Sequence, residues 1–105
     1  MEPTIWTKQD FEHRTLEFDS TASLAAGDSA LSVLVTVWEG TTDKSATMVS
    51  GTVAHPIPYL DGNKAYAHII GGEDGHSYWV RVRITTLLED IIEDDLRLLV
   101  RNVGG

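Results

Sequence analysis

The sequence predicts an all-β protein, and three observations carry that expectation. In Tyr78-Trp79-Val80-Arg81-Val82-Arg83-Ile84 the even positions are apolar and the odd ones are polar or Trp. Period-two alternation describes a strand with one buried face. The run Leu31-Ser32-Val33-Leu34-Val35-Thr36-Val37-Trp38 sets Leu31, Val33, Val35 and Val37 on one side, and its β-branched residues suit a pleated surface. Finally, Asp61-Gly62-Asn63 and Gly71-Gly72-Glu73-Asp74-Gly75 supply residues that tolerate positive φ in tight turns.

The other elements follow in chain order. Residues 1–10 carry no clear pattern and read as an N-terminal arm; residues 11–103 read as one domain. His13 to Phe18, with Leu16 and Phe18 pointing together, is a short opening strand, and Ser23 to Gly27 a single helical turn. Gly40 to Ser45 is a loop, Thr47 to Ala54 a weaker strand and Lys64 to Ile70 another strand. Pro56 and Pro58 lack a ladder donor, so His55 to Pro58 belongs at an edge or in a connection. The Gly71 to Gly75 turn is expected to join two strands as a hairpin. Thr86 to Asn102 fits two patterns: an amphipathic helix with Thr86 and Glu89 as a capping box, or a strand with Leu96, Leu98 and Val100 inward. The strands before it favor a final strand beside Tyr78 to Ile84, with Leu88 to Glu93 forming the turn and its approach.

Composition narrows the function. The chain has 105 residues, no Cys, and 16 acidic against 8 basic side chains, for a net charge of −8. Without Cys there is no disulfide framework, thiolate nucleophile or Cys-ligated metal. The negative charge opposes a phosphate backbone, so no nucleic-acid partner is expected. No apolar run reaches the roughly 20 residues that span a bilayer, and the start lacks a basic-then-apolar signal. The expectation is a soluble protein synthesised in a cytoplasm, with no membrane partner.

Asp74-Gly75-His76-Ser77-Tyr78-Trp79-Val80 resembles the segment leading into a late strand of immunoglobulin and fibronectin-type sandwiches. The resemblance implies an Ig-like β-sandwich of about six or seven short antiparallel strands, although periodicity alone does not separate a sandwich from a small barrel. It also implies a structural corner at Tyr78, Gly72 and Gly75, with the Tyr78 hydroxyl tying its strand to the preceding turn. A narrower resemblance covers roughly residues 8 to 102. The order Leu16-Glu17-Phe18-Asp19, Leu24 with Gly27-Asp28, a Val-rich strand, Gly71 to Gly75, Tyr78 with Arg83-Ile84-Thr85-Thr86, Glu93-Asp94-Asp95-Leu96 and Val100-Arg101 is similar to small bacteriophage tail proteins described as fiber-tail adaptors. Members of that family often carry Gly-Arg after the Thr-Thr pair, where this chain has Leu87-Leu88-Glu89-Asp90-Ile91. The resemblance implies a structural role in the tail region of a virion. Its partners would be other virion proteins (tail tube, nozzle or fiber), met in multiple copies within a symmetric assembly.

Catalytic and metal chemistry find little support in the residues. His13, His55, His68 and His76 have no i, i+2 or i, i+4 spacing to present two ligands from one element. Glu89, Asp90, Glu93, Asp94 and Asp95 lack the order of a calcium loop. Gly71 to Gly75 has carboxylates where a phosphate would bind, and Ser50 has no Gly-x-Ser-x-Gly elbow. No catalytic residue, metal ligand or cofactor is therefore assigned, and the chain is expected not to be an enzyme. The candidate site is a protein interface at Trp6, Trp79, Arg81, Arg83, Arg97 and Arg101, because aromatic and Arg side chains off the buried face suit docking. Trp38 and Trp79 also fit a simpler role, capping the ends of the core. Two alternatives to a tail adaptor stand: a capsid-decoration or head–tail joining protein, and a carbohydrate or cell-surface binding module stacking on Trp79.

Overall fold

The computed structural model describes residues 4–102. The strands are β1 (Thr4–Lys8), β2 (Arg14–Asp19), β3 (Ala30–Glu39), β4 (Thr42–Asp43), β5 (Val49–Ser50), β6 (Tyr59–Asp61), β7 (Lys64–Ile69), β8 (Ser77–Thr86) and β9 (Ile91–Val100). They form two packed sheets. The larger has the order β1-β9-β8-β3-β4; in the smaller, β7 pairs with β2 on one edge and with β5 and β6 on the other. This is an all-β sandwich, with nine strands among the described residues where about six or seven were expected.

The alternation in β8 builds the core. Its even positions Tyr78, Val80, Val82 and Ile84 are at most 3% exposed, and they meet Val35 and Val37 of β3 and Leu98 and Val100 of β9 in one cluster. Ala65, Ala67 and Ile69 of β7 close it from the smaller sheet, with Leu16 and Phe18 of β2 packed at its margin. The small alanines let the two sheets approach.

Several expectations need correction. Part of the expected arm is strand β1, which pairs in parallel with β9 from Thr4↔Leu96 to Lys8↔Val100, so not every strand pair is antiparallel. Lys8 is 1% exposed, and its ammonium donates to the carbonyls of Gln9, Asp10 and Glu12 at 2.7, 3.4 and 3.0 Å. Burial lowers its pKa, opposed by the charges of Glu12 and Asp10. The chain around Thr47 to Ala54 is a short helix α1 (Ser45–Met48) running into two-residue β5, because Met48 turns inward to 2% exposure. The helical turn forms at Thr21–Ser23 as a single 3-10 turn. Leu31 does not share the face of Val33 and Val35: a register shift between Ala30 and Ser32 leaves it 58% exposed. Residues 86–100 contain no helix; Thr86 to Asp90 is the turn between β8 and β9.

Gly71 to Gly75 is not a hairpin. It carries the chain from β7 in one sheet to β8 in the other. Gly72 has φ +88°, and a Cβ there would lie 2.7 Å from Val100 Cγ2 and 3.3 Å from Tyr78 Cε2. The Glu73 N–H donates to the Tyr78 hydroxyl at 2.9 Å, and the Gly75 N–H to the Val100 carbonyl at 2.8 Å. Burial raises the Tyr78 pKa, so the phenol keeps its proton while accepting that bond. Gly72→Ala is expected to cost roughly 2–4 kcal/mol, since it adds a disfavored φ to an overpacked site; Tyr78→Phe should cost about 1 kcal/mol for the lost bond. Chemical denaturation checks both, and an unchanged midpoint for Gly72→Ala would contradict this account of the crossover.

The opposite end of the sandwich is closed by Asp28. Its Oδ1 accepts the N–H groups of Ser29 at 2.8 Å and of Leu88 at 3.0 Å. Burial pushes its pKa up, but hydrogen bonds from the Thr86 side chain and from the backbone of Leu88, Ser29 and Leu87 prevail and hold it below the ordinary aspartate value. A depressed folded pKa adds stability above the unfolded pKa and loses it as pH falls through the folded one. The Asp28 contribution to the unfolding midpoint should therefore be constant from about pH 5 to neutrality and fall below about pH 4, where free aspartates protonate. Asp28→Asn should flatten part of that acid slope; an identical slope in the variant would rule Asp28 out as a contributor.

Candidate interaction site

Because the even side chains of β8 face inward, its odd side chains form the outer surface of the larger sheet. Strand register aligns that surface into rows. Trp38, Trp79, Arg97 and Ile5 lie opposite one another across β3, β8, β9 and β1. The next row is Thr36, Arg81 and Asp95, and the one beyond is Leu34, Arg83 and Glu93. The two tryptophans thus lie side by side on one face and do not cap separate ends of the core. Trp79 is 38% exposed, and the Arg97 guanidinium lies over its ring, 6.0 Å from the centroid. Trp38 donates its indole N–H to the Thr36 hydroxyl at 3.0 Å. A shallow depression of about 420 Å³ opens between Trp38, Trp79, Gly40, Thr41, Arg81 and Asp95.

Two of the expected arginines are neutralised. Arg81 Nε bonds Asp95 at 3.0 Å, and Arg83 Nε bonds Glu93 at 2.7 Å. Both pairs are cross-strand neighbors, the arrangement in which opposite charges steady a sheet. The face is therefore an indole platform bordered by paired charges. Arg97 is in no ion pair among the described residues; its guanidinium rests on the Trp79 ring. Arg101 follows β9, exposed, its backbone N–H bonded to the Lys8 carbonyl at 2.9 Å.

Trp6 does not join this surface. It is half-buried against the core and lines a separate cleft of about 280 Å³ between the sheets, with Leu16, Phe18, Val82 and Leu96 and with Glu17, Asp94 and Asp95 at its rim. The Arg14 guanidinium lies 5.7 Å from its ring centroid. Parity explains the separation: Trp6 is opposite inward-facing Leu98. Sequence reasoning noted Trp38 as an aromatic at a strand end without assigning it to the site, and missed Leu34 and Ile5 as members of the outer face. The alternation in β3 places Trp38 and Leu34 on its outer side, whereas Ile5 is brought to this face only by the pairing of β1 with β9.

The histidines are spread over the molecule. His13 and His68 meet edge to face at 5.7 Å, His55 stacks on Tyr59 at 3.6 Å, and His76 Nδ1 lies 2.6 Å from Glu39. His76 Nε2 is 3.3 Å from Glu73, so both ring nitrogens face carboxylates at the crossover.

Comparison of the sequence with curated proteins found no match. A family model described as "Podophage GP4 fiber-tail adaptor protein gp77" matches residues 8–99, which takes in the chain from the end of β1 almost to the end of β9. The matched span contains the smaller sheet, the larger sheet from β3 to β9 apart from Val100, the crossover at Gly72 and the Trp38–Trp79–Arg97 row. This β-sandwich therefore belongs to the podophage fiber-tail adaptor family and is a structural component of a phage tail.

Proposed function

We propose that the chain is a non-catalytic bridge between the tail tube or nozzle and the tail fibers, present in several copies of a symmetric assembly. The outer face of the larger sheet is one of its docking surfaces. The observation that supports this reading is the row of Trp38, Trp79 and Arg97, displayed on a sheet face where Arg81 and Arg83 are already paired with Asp95 and Glu93. Trp and Arg are the residues most often found where binding energy concentrates. A guanidinium stacked on an indole gives both groups a fixed orientation before binding, which lowers the entropy cost of association. The mechanism is static: complementary surfaces held at a fixed spacing, with no bond made or broken. The family membership supports contact with other tail components, and the tube, nozzle and fibers are the components such a bridge would meet.

Electron microscopy of the virion tests the address, with copies expected between the tail tube and the fibers. Copies on the capsid shell or at the head–tail junction would replace the proposal. For the surface, Trp79→Ala is expected to weaken binding to the purified nozzle or fiber protein by about 2 kcal/mol, roughly thirtyfold, while the variant still folds. Unchanged affinity for both proteins would remove this face from the interface. Saturable quenching of tryptophan fluorescence by glycans, without binding to either tail protein, would favor a carbohydrate-binding module.

A further inference from the structure

The turn between β8 and β9 is unusual for a solvent-facing loop. Leu87 and Leu88 stand at its apex, 58% and 59% exposed. Register places Leu31 and Ile91 at the same end of the sheet, 58% and 63% exposed. Four large aliphatic side chains thus gather at one tip without entering the protein's own core, the kind of patch that marks a contact site.

The tip is also rigid. Five consecutive N–H groups are bonded: Thr86 to the Asp90 carbonyl at 2.9 Å, Leu87 to the Ser29 carbonyl at 3.0 Å, Leu88 to Asp28 Oδ1 at 3.0 Å, Glu89 to the Thr86 carbonyl at 3.0 Å and Asp90 to the Thr86 hydroxyl at 3.0 Å. Glu89 takes a positive φ of 68° to close the turn. A backbone held this way presents the leucines in one arrangement, so little ordering is left for a partner to impose.

Charge identifies the occupant. Glu89 and Asp90 directly follow the leucines in the turn, both exposed, and neither carboxylate joins an ion pair among the described residues. The nearby Arg83 is already bonded to Glu93. A second copy of this chain is a poor receptor, because each copy carries a net charge of −8 and like-charged surfaces repel. We infer that the β8–β9 tip is a second docking element, in which Leu87 and Leu88 seat in an apolar pocket with a basic rim on a neighboring tail protein. This inference rests on the adaptor reading above and adds to it a distinct surface and the chemistry of the receiving site.

The test titrates the purified fiber protein and the purified nozzle protein separately against the parent chain and its variants. Leu87→Ser/Leu88→Ser is expected to weaken binding to one of them by roughly thirtyfold. Its unfolding midpoint should stay close to the parent's, because both side chains are already exposed. Parental affinity for that partner should fall with rising salt, and Glu89→Gln/Asp90→Asn should remove much of that dependence while leaving the fold untouched. Full affinity of the leucine variant for both proteins overturns the inference. Salt-independent binding at the tip overturns the basic rim, and a dimer abolished by the leucine substitutions would make a second copy the occupant instead. If Trp79→Ala leaves binding intact while the tip variant weakens it, the sheet-face reading fails and the tip stands. The reverse result removes the tip alone, and a parent that binds neither protein removes both.

Discussion

The burial of one face of β8 is the constraint on which the rest depends. The strand is central in the larger sheet, paired over nearly its whole length with β3 on one side and β9 on the other. Tyr78, Val80, Val82 and Ile84 are essentially removed from water, each worth roughly 1.5–3 kcal/mol of apolar transfer for a side chain of this class. A slip by one residue would turn Trp79, Arg81 and Arg83 into the core and these four out to solvent. Register and composition therefore fix each other. The outer face, with its paired tryptophans and matched ion pairs, is the necessary counterpart of that buried one.

The two ends of the sandwich are held by different devices. At one end the chain passes between sheets through Gly72, where the backbone lies against Val100 and Tyr78 too closely for any Cβ, and the Tyr78 hydroxyl holds the passing Glu73 N–H. At the other, the Asp28 carboxylate and the Ser29 carbonyl accept the Leu88 and Leu87 N–H groups and so fasten the β8–β9 turn to the segment before β3. Asn63 adds a third tie: its side-chain oxygen accepts the Ala30 N–H at 3.0 Å, and its carbonyl accepts the Ser20 N–H and hydroxyl at 3.0 and 2.7 Å, linking the small sheet's hairpin to the large sheet. Polar groups thus sit where strands end and alternation no longer dictates the path. The sandwich is tied at both ends by hydrogen bonds as well as by its core.

Much of the strand content was legible because alternation is local. The period of β8, and that of β3 from Val33 onward, read directly, and the outward parity of Trp79, Arg81 and Arg83 followed from the former. What escaped depended on partners distant in sequence. Trp6 looked like an interface residue in an arm, and pairing of Thr4–Lys8 with β9 places it opposite Leu98, over the inter-sheet cleft. Arg81 and Arg83 read as docking residues, and register sets Asp95 and Glu93 against them. The glycine-rich turn looked like a hairpin because composition reports that a chain bends, not which sheet it enters next.

From the amino-acid order alone came the β class, the inward face of the central strand and the residues able to turn. These rest on interactions between near neighbors: steric preference, period-two polarity and positive-φ tolerance. The tertiary structure decided which strands meet, which charges are cancelled and which apolar side chains are left outside, Leu87 and Leu88 among them. Those outcomes are set by pairing across the whole chain, where the register of one strand determines the surroundings of every side chain on the next.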